Sequence, residues 1–280
     1  MARYSQTTKQ VIAHVKQHKE KICEFMAGQL CAHHGGVFNG IPLTDRKNIM
    51  KACLQNEKQD TESWYKSIEL NGIDNPDFSI YNDYLINGYY CWVGWTHQNV
   101  LDTIGFLNEI NYTPLRILDF GAGIGTSTVE LALAYPNAEV VYTNVGSLQV
   151  DMAKRVASHM GVTNITFTHE HDYAAMRECD VVAAYEVFEH IREPISVMKQ
   201  SILDGKCKVL VDSSSFTVNA PGHFPSYIDQ SGAVVLNKKF RRVFNKAIRS
   251  AGFDPAEQAI TDKWPAPFWN NRPAIFVRGI

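Results

Sequence analysis

No charge of either sign dominates this chain. Its 27 lysines and arginines stand against 29 aspartates and glutamates, for a formal net charge of −2. That balance excludes a global basic field of the kind that gathers nucleic acid, although it leaves room for a local patch. Long hydrophobic runs are missing too. Hydrophobic residues make up 45% of the sequence, yet no stretch approaches the ~20 apolar residues of a membrane span. The opening stretch, Met1 to Lys9, is polar and lacks a signal-peptide core. Cys23, Cys31, Cys53, Cys91, Cys179 and Cys207 are scattered and form no C-x-x-C pair. This suggests neither a zinc knuckle nor a disulfide framework. Reduced thiols in a cytoplasmic protein are the expectation. Internal repeats and low-complexity segments are absent as well.

What is present falls into two textures. Residues 1–105 carry helical periodicity without strand–helix alternation. Val11, Ile12, Val15, Ile22, Phe25, Met26 and Leu30 recur near a 3.6-residue period, which predicts one amphipathic helix over Thr7 to Ala32. Thr44-Asp45-Arg46 caps a second helix running through Gln55, and Glu62 to Leu70 reads as a third. Residues 106–280 alternate instead. Strands are predicted at Arg116–Phe120, Glu139–Thr143, Asn164–Thr168, Asp180–Ala184 and Lys208–Asp212, with late strands at Ala256–Thr261 and Ala274–Arg278. Helices are predicted at Ser127–Ala134, Leu148–Met160, Phe188–Ile202 and Asn237–Ala251. Repeated β-then-α units imply an α/β, Rossmann-like, doubly wound sheet of seven mostly parallel strands, with ligands at the strand C-termini. The expected organisation is a helical N-terminal extension or lid, 1–105, and a ligand-binding domain, 106–280.

The most informative segment is Leu115-Arg116-Ile117-Leu118-Asp119-Phe120-Gly121-Ala122-Gly123-Ile124-Gly125-Thr126. A short apolar run ends in an acid, and three glycines follow at alternate positions before a helix begins. That is a strand entering a tight turn and a helix N-terminus, the usual cradle for a nucleotide-like ligand. A dinucleotide fingerprint requires G-x-G-x-x-G. Counted from Gly121 or from Gly123, the last place is Thr126 or Thr128, so neither register fits. The D-x-G-x-G-x-G pattern resembles motif I of the class I S-adenosylmethionine-dependent methyltransferases. The resemblance implies that Gly121, Ala122, Gly123 and Gly125 wrap the methionine and ribose portion of S-adenosyl-L-methionine, with Asp119 near its amino group.

Three further places match that family in order and spacing. A ribose usually meets an acidic side chain about 20 residues past the glycines. Here Val141-Tyr142-Thr143 leads to Asn144, a neutral amide that can accept one hydrogen bond and donate another. It is either a ribose contact or a turn residue before Gly146. After strand 3, Asp172 occupies the place of the family's adenine-binding acid, or caps the next helix. After strand 4 comes Glu186-Val187-Phe188-Glu189-His190. This resembles the E-V-x-E-H segment of small-molecule O-methyltransferases and of enzymes that methylate the 3′-terminal ribose of small RNAs. Glu186, Glu189 and His190 fall on one face if the segment is helical. In those families the same residues, with a later histidine, hold a divalent cation. His223 in Pro221-Gly222-His223 occupies a comparable place. The implied metal set is Glu186, Glu189, His190 and His223 around Mg²⁺. The alternative is a Glu-His pair that caps a helix and shapes a pocket wall.

No Asp-Pro-Pro-Tyr or Asn-Pro-Pro-Tyr follows strand 4 and no Pro-Cys nucleophile occurs, which excludes the patterns of the exocyclic-amino and cytosine-C5 DNA enzymes. The aromatic run Phe78, Tyr81, Tyr84, Tyr89, Tyr90, Trp92 and Trp95 is either core or a wall over the site. Lys238, Lys239, Arg241, Arg242, Lys246 and Arg249 form a solvated helix face or a phosphate contact. The reading that results is a methyltransferase acting on an oxygen or nitrogen of a small molecule, with His190, His223 and Glu186 as catalytic residues. A nucleic-acid methyltransferase and a non-catalytic binding subunit of the same fold are the alternatives. Expected partners are a small-molecule substrate rather than nucleic acid and no membrane, with a homodimer left open.

Overall fold

The computed structural model describes residues 4–35, 38, 41, 45–83, 85–168, 172–256 and 273–280. The chain begins with two long helices, α1 (Gln6–His33) and α2 (Arg46–Asn71). Ser5 caps α1 by accepting from the Thr8 amide, and Asp45 caps α2 by accepting from the Asn48 amide. The predicted second and third helices are one. Nothing between Gln55 and Glu62 is glycine or proline, so no residue there interrupts the α2 hydrogen bonds. Gly72, at φ 85°, ends it. Thr44 and Tyr84 lie outside the described residues. A 3₁₀ turn (Phe78–Asp83), α3 (Leu85–Cys91), a π turn (Trp92–Thr96) and α4 (His97–Glu109) follow. The boundary expected at 105/106 therefore falls inside a helix.

The rest alternates: β1 (Arg116–Phe120), α5 (Thr126–Ala134), β2 (Glu139–Thr143), α6 (Ser147–Met160), β3 (Ile165–Thr168), α7 (Tyr173–Arg177) and β4 (Val181–Ala184). A 3₁₀ turn (Phe188–His190), α8 (Pro194–Met198) and a π turn (Lys199–Leu203) come before β5 (Val209–Asp212). The single helix predicted over Phe188–Ile202 is thus broken, because Pro194 cannot continue a helix and starts a new one instead. A hairpin, β6 (Ser226–Ile228) and β7 (Val234–Leu236), was not anticipated. Then come α9 (Asn237–Ser250), β8 (Asp254–Pro255) and β9 (Ala274–Val277). The strand expected over Ala256–Thr261 lies mostly outside the described residues; β8 is placed just before it.

Seven strands form one sheet in the order β3-β2-β1-β4-β5-β9-β8. The first five are parallel, and β9 runs antiparallel between β5 and β8. The central strands are buried on both faces, which is why they read as continuous apolar runs. Alternate residues feed opposite cores. Ile117, Val181 and Val209 pack with α1, α4 and α5, while Leu118, Val182 and Leu210 pack with α8 and α9. A third cluster joins Ile22, Met26 and Leu30 of α1 to Ile49 of α2 and Val156 of α6. The N-terminal helices thus share the hydrophobic core of the sheet. All six cysteines are free thiols. No helix among the described residues is long and apolar enough to cross a membrane.

Candidate cofactor cradle and acidic–histidine cluster

β1 delivers its C-terminal end into a loop whose three glycines all have positive φ: Gly121 at 67°, Gly123 at 52° and Gly125 at 76°. Each is required for a different reason. A Cβ on Gly121 would lie 2.5 Å from Val187, and one on Gly125 would lie 2.4 Å from the Cβ of Ala153. A Cβ on Gly123 would meet nothing within 4 Å. Gly123 borders a cavity of 590 Å³, within the size range of small-molecule sites. The loop is tied down on the other side. The Gly123 amide donates to Asn144 Oδ1 (3.3 Å), Tyr142 Oη donates to the Gly123 carbonyl (2.7 Å), and Asn144 Nδ2 donates to Gln149 Oε1 (3.2 Å). Asn144 thus holds the loop while also lining the cavity. Tyr142 and Gln149 were not picked out from the sequence.

Asp119 also lines the cavity, and only 1% of it is exposed. Its Oδ2 accepts from Ser127 Oγ (2.7 Å) and Thr128 Oγ1 (2.6 Å), one turn into α5. Burial pushes its carboxyl up to about 6, against the pull of those two hydroxyls. Behind it, the buried Glu130 accepts from His97 Nδ1 (2.5 Å) and Trp92 Nε1 (3.1 Å). This link ties α5 to the π turn, whose residues Trp92 and Thr96 form part of the cavity wall. Asp172 takes the capping place that was one of its two expected roles, and it is not among the residues lining the cavity. It caps α7 by accepting from the Ala175 amide (3.1 Å), it is exposed, and its neighbour Tyr173 lines the cavity in its stead. His171 lies outside the described residues.

At the end of β4 the predicted helical face does not form. Glu186 has φ 55°, rare for a residue with a Cβ, and helical turning starts only at Phe188. Glu186, expected in the metal set, is not among the residues whose ligand atoms converge here, although its carboxyl neighbours that of Glu189. The groups whose ligand atoms come within 4.8 Å of one another are Glu189, His190 and His223. Glu186 and His190 line the cavity, whereas Glu189 and His223 are not among its lining residues. Burial, then the neighbouring Glu189 charge, holds the Glu186 carboxyl well above the usual range. Burial, then the His223 charge, holds His190 well below the usual imidazole range, and burial lowers His223 too.

The hydrogen bonds around the cluster define what it offers. Glu189 is fully buried; its Oε1 accepts from the Ser215 amide (2.7 Å), and its Oε2 meets no donor among the described residues. His223 Nδ1 lies 2.8 Å from the Val218 carbonyl, which can only accept, so Nδ1 carries the proton and Nε2 the lone pair. The His190 and His223 rings stand edge to face, with centroids 4.7 Å apart. Two imidazoles and a buried carboxylate brought this close form a donor set that suits a divalent cation. Of the basic residues on α9, Arg241 is committed elsewhere: it donates to the buried Asp212 carboxylate and the Ser214 carbonyl. Lys238, Lys239, Arg242, Lys246 and Arg249 are exposed. In the aromatic run, Tyr89 is core, Trp92 is buried and also lines the cavity, and Phe78 and Tyr81 face the cavity.

No protein-family model matches the chain. It is 28% identical over 106 residues to ribosomal RNA small subunit methyltransferase G of Phocaeicola vulgatus, covering 38% of this chain and 50% of that protein. It is 23% identical over 147 residues to the protein of the same name from Staphylococcus haemolyticus, covering 52% and 51%. The chain spans about half the length of the curated relatives it matches. Among solved structures, an O-methyltransferase family protein from Burkholderia thailandensis superposes with a TM-score of 0.53 at 11% identity, over 82% of this chain and 71% of that one. With that likeness, the strand order and the glycine loop, the chain has the fold of the class I S-adenosylmethionine-dependent methyltransferases.

Proposed function

We propose that this chain is an S-adenosylmethionine-dependent methyltransferase acting on an oxygen or nitrogen of a small molecule. The observation that carries the reading is Gly123: a left-handed glycine, anchored by Asn144 and Tyr142, with open space where its Cβ would be. A backbone kept bare on the cavity side is what a ligand pressed against it requires. Gly121, Ala122, Gly123 and Gly125 would cradle the cofactor, Asn144 would meet its ribose, and Asp119 would face its amino group. The bound cofactor supplies a methyl already activated on a sulfonium.

What remains for the protein is alignment, exclusion of water and acceptance of a proton. Glu186 and His190 line the same cavity as the glycine loop. His190, held neutral by burial, is placed to take a proton from the acceptor. Alternatively, Glu189, His190 and His223 would hold a divalent cation such as Mg²⁺, which would lower the pKa of an acceptor hydroxyl and leave His190 a ligand rather than the base. Residues 1–105 would serve as the wall of this site through Phe78, Tyr81, Cys91 and Trp92, and residues 106–280 as its floor. An RNA acceptor is the second reading. The relatives' names and the five exposed cations of α9 favour it, and it requires binding that weakens steeply with salt.

Isothermal titration tests the first reading. S-adenosylhomocysteine should bind at one site and NAD should not. Asn144→Ala, which frees the Gly123 amide, should weaken binding about tenfold, the equivalent of one anchoring hydrogen bond. An absence of heat with both S-adenosylmethionine and S-adenosylhomocysteine would overturn the assignment.

A further inference from the structure

His190 and His223 sit on separate loops, and each is held from the N-terminal helical part. Trp64, a fully buried residue of α2, donates its indole N–H to the His223 carbonyl (2.8 Å). Tyr81 Oη lies 3.1 Å from His190 Nδ1 and donates to the Gly222 carbonyl (3.4 Å). Gly222, at φ 79°, lets these groups close on one another: a Cβ there would lie 2.1 Å from Tyr81 Oη and 2.5 Å from His190 Nδ1. Tyr81 also stands edge-on to both Trp64 (6.3 Å) and His190 (5.9 Å).

Of the two partners of the Tyr81 hydroxyl only the Gly222 carbonyl is bound to accept, and the arrangement proposed here sends the hydroxyl hydrogen there. The Tyr81 oxygen then accepts, and the hydrogen it accepts is that of His190 Nδ1. Nδ1 therefore carries the proton of the neutral ring and the lone pair is on Nε2. His223 reaches the same tautomer through the Val218 carbonyl. A ligating or basic imidazole is commonly held in this way, by a partner on its other nitrogen that fixes tautomer and ring orientation.

We propose that Tyr81 is a positioning residue: with the Gly222 carbonyl it fixes His190 as the Nδ1–H tautomer, so that the helical part outside the sheet completes the acidic–histidine cluster. The inference rests on the proposed role of that cluster, but its first test does not depend on activity. Long-range ¹H–¹⁵N spectra of the full chain, without added metal, report the tautomer directly. Wild-type His190 should give the Nδ1–H pattern. Tyr81→Phe keeps the ring packing and removes the acceptor, so it should give a mixture of both tautomers. Tyr65→Phe, which removes a hydroxyl 3.4 Å from Asn219 Oδ1 on the same helical part, should leave the spectrum unchanged. Mn²⁺ titrated alone and followed by electron paramagnetic resonance should bind Tyr81→Phe about tenfold more weakly than wild type, the scale of a lost outer partner. An Nε2–H wild-type ring, or an unchanged tautomer in Tyr81→Phe, overturns the proposal. If wild-type protein takes up no Mn²⁺ while the tautomers behave as described, the cation reading fails and the role of Tyr81 stands.

Discussion

A methyl group added at Gly125 is expected to destabilise the fold by about 4 kcal/mol, whereas the same addition at Gly123 should leave the fold nearly intact and weaken the cofactor. At Gly125 two terms add. A left-handed φ costs a residue with a Cβ on the order of 1–2 kcal/mol, and the new Cβ would sit 2.4 Å from the Ala153 Cβ and 2.8 Å from its Cα. The second of those contacts is backbone of α6, so relief means moving a helix, and overpacking of that kind costs roughly 1–3 kcal/mol. Gly123→Ala bears the backbone cost alone, about 1 kcal/mol, because nothing lies within 4 Å of its Cβ. The added methyl would instead project into the cavity where the proposed cofactor would lie. Thermal melts should therefore show Gly125→Ala lowered by roughly 8–12 °C and Gly123→Ala by a few degrees. Calorimetry should show S-adenosylhomocysteine binding to Gly123→Ala at least about tenfold more weakly. Equal losses of stability in the two variants would mean that Gly123 is only a turn residue.

That contrast could not be read from the sequence, where the three glycines look alike. What was legible there was periodicity. The strands β1, β2, β4 and β5 are short runs buried on both faces, and the bounds of β1 to β5 agree with the expected ones to within a residue. The chain between β4 and β5 was harder, since one proline outweighs the helical pattern around it. The hairpin β6–β7 was missed because its strands are three residues each and β7 is largely exposed, leaving no alternation to detect.

The site divides in the same way. The glycine loop stood out because backbone geometry restricts which residues fit a left-handed turn, and Asn144 because of its spacing from that loop. Asp172 shows the limit of analogy: a short polar residue before a helix satisfies a cap and a ligand equally well in sequence, and here it caps α7. Glu186 was placed on a helical face by spacing, but its positive φ takes it off that face. Tyr81, Trp64 and Glu130 act across 109, 159 and 33 residues respectively. No local pattern carries such contacts, because they exist only once the helical part and the sheet share a core.

Asp119→Asn should make the protein more stable and a poorer binder, with a gain that depends on pH in a defined direction. The Asp119 carboxyl is raised from 3.8 to about 6 in the fold because burial disfavours its charge. A carboxyl whose folded value lies above its unfolded one favours the folded state only while protonated. Its contribution is fully present below about 3.8, declines as pH rises through about 6, and is absent above. A shift of this size corresponds to about 3 kcal/mol. Asparagine is neutral throughout, and its single oxygen can still accept from Ser127 and Thr128. Urea melts should show the variant about 3 kcal/mol more stable than wild type at pH 8, with the advantage shrinking toward zero near pH 4. In the same variant, affinity for S-adenosylmethionine should fall about tenfold, since a charge-assisted contact to the cofactor's amino group becomes a neutral one. A buried carboxylate that costs stability and is kept where a cationic amine would bind is the pattern of a residue placed for its ligand rather than for the fold. A variant that is destabilised at every pH, or whose gain does not change with pH, would show instead that Asp119 serves the α5 hydroxyls and nothing more.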